Sequence, residues 1–170
     1  MGGIREALDR VSSVVARRPQ TGEDTNKSTT TLVSGLACVS EEGEWRLDTD
    51  MPAAMGGQGS APTPGVYGRA ALGSCLAMGY KLRSEALGIE VTSIKIDIDA
   101  DSDMAGMLFL ESANPPGYTE VRYHVQIESP APASDIQRVV DEGDALSPYL
   151  DVFARAHAMK RTLTINQEAG

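Results

Sequence analysis

Cys75 is the residue of this chain able to do the most demanding chemistry, because a thiolate is both a nucleophile and a reducing centre. It ends the run Ala70-Ala71-Leu72-Gly73-Ser74-Cys75, inside the longest helix-forming segment. A free cysteine on such a helix is commonly a small core hydrophobe. A reactive one needs a neighbouring cation to favour the thiolate. Arg69 is six positions away on another face of the same helix, so the sequence supplies no local partner. Two readings stand from the residues alone: Cys75 is a nucleophile, or it fills a core. Cys38 lies far away in sequence, and the two cysteines make neither a zinc quartet nor a CxxC pair.

The other constellations carry weaker signals. Met55-Gly-Gly-Gln-Gly59 lacks the Lys-Ser/Thr of a phosphate loop and reads as flexible loop. His124 and His157 have no partner at metal-ligand spacing. Asp97, Asp99, Asp101 and Asp103 share one face of a strand and its exit, where a solvated face is the simpler reading than a cation site. No cofactor and no metal are expected.

Charge excludes whole classes of partner. With 15 Lys plus Arg against 24 Asp plus Glu, the 170-residue chain carries a net charge of −9. Phosphate contacts need cations, so a general nucleic-acid binder is not expected. Aromatic residues make up 5%, which leaves few rings for stacking bases. No run approaches the roughly 20 apolar residues that span a bilayer, so no membrane partner is expected. Met-Gly-Gly-Ile-Arg-Glu at the start places charges where a secretory signal needs an apolar run. A cytoplasmic chain with reduced thiols is the expectation.

The elements that must position Cys75 follow from periodicity. Val66–Leu87 carries Leu72, Cys75, Leu76, Gly79, Leu82 and Ala86 at helical spacing and stops at Gly88. Small residues around its other faces predict a helix running through the middle of a domain. Residues 4–18 place Ile4, Leu8, Val11 and Val15 on one stripe of a shorter helix, and a polar linker follows to Ser28. Thr29–Val39 and the region Glu44–Leu47, joined by a Glu-Glu-Gly turn, predict a β-hairpin. Residues 51–65 are loop by their Gly and Pro content. Ile94, Ile96 and Ile98 alternate with polar residues, as do Val121, Tyr123, Val125 and Ile127, predicting two half-buried strands. Ser134 is placed to cap a helix that stops near Gly143, and Ser147-Pro148 to open another. Leu163 and Ile165 predict a last short strand. The order is α+β, with no repeat of βαβ units. Residues 1–28 read as an N-terminal helix and linker, and 29–170 as one domain.

The ordered set Asp50-x-Pro52, Gly56-Gly57, Pro62-x-Pro64 and Ala-Leu-Gly-Ser-Cys75 resembles the OsmC/Ohr superfamily, the osmotically inducible and organic hydroperoxide resistance proteins. The resemblance runs over roughly residues 29–166 and treats the N-terminal helix as an addition. It implies an OsmC-like fold, with antiparallel sheets around a long central helix, in an intertwined homodimer with two sites at the interface. It implies that Cys75 attacks a peroxide O–O bond, the oxidised product being a sulfenic acid. Ser147 stands where the resemblance expects a second, disulfide-forming Cys, and Gly65 where it expects an orienting Glu. Arg46 is the candidate for the arginine beside the thiolate. The function implied is a hydroperoxide reductase using Cys75 alone, with an external thiol reductant and a small peroxide or hydrophobic ligand. The alternative is a non-catalytic or ligand-binding dimer in which Cys75 is structural.

Overall fold

In the computed structural model, which describes residues 3–165, the long helix is the axis on which the other elements pack. The first helix, α1, spans Ile4–Arg17, and the axial helix, α2, spans Pro64–Leu87. It begins two residues earlier than periodicity indicates, because Pro64 fits the first turn, where its missing N–H costs nothing. Gly88 ends it with φ +70°, its N–H donating to the Glu85 and Ser84 carbonyls. Leu72, Leu76, Tyr80 and Ser84, four residues apart, are its buried stripe.

That stripe lies on a two-stranded antiparallel sheet. Strands β4 (Ser93–Ser102) and β5 (Tyr118–Glu128) pair in the register Ile94↔Ile127, Ile96↔Val125 and Ile98↔Tyr123, so the alternating apolar residues share one face. With Leu72, Leu76, Tyr80 and Val139 they form the core, each fully buried side chain contributing about 2 kcal/mol of transfer free energy. Gly73 faces the sheet, where a Cβ would stand in ordinary contact 3.5 Å from Ile98 Cγ1. The N-terminal helix and the two helices that follow β5 also pack on α2, so its own chain covers much of its circumference while Met78 stays 60% exposed.

The N-terminal strands differ from the expected hairpin. Thr29–Val39 is broken by a turn at Gly35 (φ +55°), giving a three-stranded meander of β1 (Thr29–Ser34), β2 (Ala37–Glu42) and β3 (Trp45–Thr49). It is linked to the axial helix by Tyr67 Oη, which donates to the Asp48 carbonyl at 2.9 Å, and just beyond β3 the Asp50 N–H donates to the carbonyl of Pro62, two residues before the helix.

Two further helices, α3 (Ala133–Ala145) and α4 (Pro148–Ala154), complete the fold. Ser134 does not cap α3: the helix already starts at Ala133, behind Pro132, so Ser134 lies within the first turn. Ser147 does cap α4, its Oγ accepting the Leu150 N–H at 3.3 Å. Leu163 and Ile165 form no strand and are exposed, because neither sheet of this chain pairs with the segment. Met1, Gly2 and residues 166–170, which the expected domain limits include, lie outside the described residues.

Candidate functional site

The turn between α3 and α4 brings Ser147 to Cys75. Asp144, at the end of α3, accepts a hydrogen bond from Tyr80 Oη of α2 at 2.5 Å and another from Tyr123 Oη of β5 at 2.8 Å. Burial, reinforced by Asp144, raises both phenols, Tyr123 to about 12, so both remain neutral donors around neutral pH. Gly143 lies flat on the Tyr80 ring, where a Cβ would meet Cδ1 at 2.5 Å. The Ser147 N–H donates to the Asp144 carbonyl at 3.2 Å. Three elements thus fix the turn, and Ser147, 6% exposed, places its Oγ 3.7 Å from Cys75 Sγ.

Cys75 is half-buried and lines a cavity of about 900 Å³. The walls are largely apolar, with Met78, Leu82, Ala86 and Leu146 among them. Arg83 and Glu142 are also in the lining and form an ion pair. Arg138 takes the second oxygen of Glu142 at 2.8 Å. Arg138 first and then Arg83 hold that carboxyl below its usual range. The helix α1 contributes Leu8, Asp9 and Ser12. Leu8 was legible as a stripe position on a helix, but nothing in the sequence indicated that α1 would reach the Cys75 cavity. Nor did spacing signal the Tyr80–Asp144–Tyr123 set, whose members are scattered over more than sixty positions.

The remaining expected residues lie elsewhere. Arg46 is on β3, exposed and paired with Asp48 at 3.0 Å, and it is not part of the Cys75 cavity lining. Gly65 faces Arg69, whose Nη1 donates to Tyr118 Oη at 3.2 Å while that hydroxyl donates to the Gly65 carbonyl. Neither guanidinium bonds to Cys75. Cys38 sits half-buried on β2, its Sγ 3.9 Å from the Leu36 carbonyl.

The acidic row and the glycine run are structural. Asp97 pairs with Lys95 and Gln126, and Asp101 with Arg122. Asp103 accepts from Ser112, Asn114 and the Ala105 N–H, closing the long β4–β5 connection. No group of three or more His, Cys, Asp or Glu side chains is placed to hold a metal among the described residues. Asp50, 2% exposed, accepts from the N–H groups of Met51, Gln58 and Ser60 and from Ser60 Oγ. Those bonds, the Ser60 N–H foremost, pull its pKa down to about 2. The loop so folded presses Gly57 against Met51, where a Cβ would meet the carbonyl oxygen at 1.9 Å. The Gly-rich run is thus a loop tied to the Asp50 carboxylate. No helix among the described residues is long and apolar enough to cross a membrane.

Comparison with known proteins places this geometry. A search of curated sequences finds no match. Among solved structures, the chain is similar to an OsmC-like protein from Mycoplasma pneumoniae, with a TM-score of 0.64 and 16% identity over 77% of this chain and 88% of that one. It is similar to an organic hydroperoxide resistance protein from Elizabethkingia anophelis, with a TM-score of 0.60 and 15% identity over 78% and 89%. A Legionella pneumophila protein described as an organic hydroperoxide resistance protein OsmC aligns with a TM-score of 0.58 and 17% identity over 77% and 90%. At these identities the likeness is one of fold. The family model for OsmC-like proteins matches residues 57–160, which is more than half of the sequence and contains both Cys75 and Ser147, and the chain therefore belongs to the OsmC-like protein family.

Proposed function

We propose that this protein is a thiol-dependent reductase of organic hydroperoxides that uses Cys75 as its one attacking thiol. The observation that carries the reading is the pair of Cys75 Sγ and Ser147 Oγ, 3.7 Å apart beside a largely apolar cavity of about 900 Å³. The Cys75 thiolate attacks the terminal peroxide oxygen, the O–O bond breaks, and the alkoxide takes a proton to leave as alcohol. The sulfur is oxidised to a sulfenic acid, and the peroxide is reduced. Ser147 keeps the helix start that a cysteine would otherwise occupy, but a hydroxyl forms no disulfide. An external thiol therefore attacks the sulfenic sulfur, releasing water and leaving a mixed disulfide. A second external thiol then returns Cys75 to the thiol and leaves as the oxidised reductant. We place the protein in a reducing cytoplasm and read its active form as a homodimer, in which a guanidinium such as Arg46 of a second copy meets the thiolate.

One observation favours the alternative, a ligand-binding dimer with a structural Cys75: within one chain no cation bonds the sulfur among the described residues. Thiol counting separates the two. Cumene hydroperoxide added to the full-length protein is expected to remove one thiol per chain, with no loss in Cys75→Ser beyond that of Cys38. A Cys75 that stays intact with hydroperoxide and alkylates only after unfolding overturns the enzyme in favour of the binding protein.

A further inference from the structure

We infer that α1 is the specificity-determining wall of the Cys75 cavity, selecting uncharged apolar molecules by size, with Leu8 and Ser12 setting the limit. The inference rests on the reading that the molecule meeting Cys75 enters this cavity. α1 lies outside residues 57–160, so this wall is supplied by the chain beyond the matched family segment. Leu8, Asp9 and Ser12 line the same space as Cys75, Ser74 and Met78 of α2. The helix is held against the end of α2 by Arg5, whose Nη1 donates to the Glu85 carbonyl at 3.3 Å. None of its residues is buried, so a substitution on the cavity side alters the space without removing a core contact.

The ligand's charge follows from the lining. Glu142 is shared by Arg83, which also lines the cavity, and by Arg138, which reaches it from outside the lining, and this leaves that trio with one positive charge. Asp9 brings one negative charge to the same cavity. The sum is zero, while Leu8, Met78, Leu82 and Leu146 supply apolar surface. An ionic ligand would lose hydration with no net opposite charge to replace it, whereas an uncharged apolar one loses nothing it needs.

The test uses the full chain in a Cys38→Ser background. Rates of Cys75 alkylation are measured with N-ethylmaleimide and with the bulky N-(1-pyrenyl)maleimide. Ser12→Trp is expected to lower the bulky-to-small rate ratio about tenfold, equivalent to ~1.4 kcal/mol, and Leu8→Ala to raise it. Arg10→Trp, on the same exposed helix but outside the lining, leaves the ratio unchanged. Binding of the neutral fluorophore N-phenyl-1-naphthylamine to Cys75→Ser provides a readout free of thiol chemistry, and Ser12→Trp weakens it while Arg10→Trp does not. Equal behaviour of Ser12→Trp and Arg10→Trp in both assays, or no fluorophore binding to Cys75→Ser, overturns the wall. Selective loss of fluorophore binding in Ser12→Trp, with a Cys75 inert to hydroperoxide, upholds the wall and sinks the reductase.

Discussion

The β4–β5 pair and the β1–β3 meander are both antiparallel sheets, yet they meet opposite fates. On β4 and β5 the row Ile94, Ile96, Ile98, Val121, Tyr123, Val125 and Ile127 closes on α2 and becomes core. On the meander all six residues of β1 are exposed, β2 buries Val39 alone, and Trp45 of β3 is 71% exposed. The register puts Leu32, Cys38 and Leu47 on one face, with Leu32 62% and Leu47 49% exposed and no element among the described residues laid over them. Alternation specifies a strand with two unlike faces; whether the apolar one is buried depends on what else is there to cover it. In the homodimer proposed above, we read the cover of these exposed apolar side chains as a second copy of the chain.

The largest effect should come from breaking that cover. Leu32→Asp with Leu47→Asp places two charges on the open face. The parent protein is expected to sediment as a dimer and to show a Tm that rises with concentration, as mass action requires. The double variant is expected to sediment as a monomer with a concentration-independent Tm. A parent that is already monomeric at micromolar concentration removes the dimer from the proposed function.

Within the helical half, burial should dominate. Leu76 is fully enclosed, and Leu76→Ala is expected to cost about 2–5 kcal/mol in urea unfolding. Gly143→Ala should cost less, about 1–3 kcal/mol, as the new methyl pushes against the Tyr80 ring. Because Gly143 leads into the turn that presents Ser147, the same change is expected to alter the alkylation rate of Cys75. A Gly143→Ala protein with parental stability and parental Cys75 reactivity would show that the turn is not fixed by this contact.

How far the sequence could be read follows the same divide. The axial helix, the β4–β5 alternation and the Ser147 cap were legible because each is a local pattern with its own physical cause: period 3.6, period 2, and a side-chain acceptor before Pro148. The split of the first strand at Gly35 was not, since Gly35 reads equally as a strand glycine until its positive φ is seen. The last strand at Leu163 failed because two alternating residues define no partner. At the candidate site, Cys75 stood out by its residue type and Ser147 by resemblance, and the fold brings their side chains to 3.7 Å. Tyr80, Asp144 and Tyr123 were invisible because hydrogen bonds between distant elements leave no spacing to read.

The smallest effect concerns the loop that joins the two regions. Asp50 gathers four donors and its pKa falls from 3.8 to about 2, so the folded state prefers the ionised carboxylate more than the unfolded chain does. A depressed carboxylate pKa gives stability that is complete above the unfolded value and lost as pH falls through the folded one. The parent should therefore lose part of its stability between pH 3.8 and about 2 at this residue, and Asp50→Asn should show less of that loss while being less stable near neutral pH. Other carboxylates also titrate there, Asp103 among them with a pKa of about 2, so the informative quantity is the difference between the two urea-unfolding profiles against pH. If the profiles run parallel through that window, Asp50 holds the loop by shape alone, and the charge on its carboxylate does not stabilise the link between meander and helix.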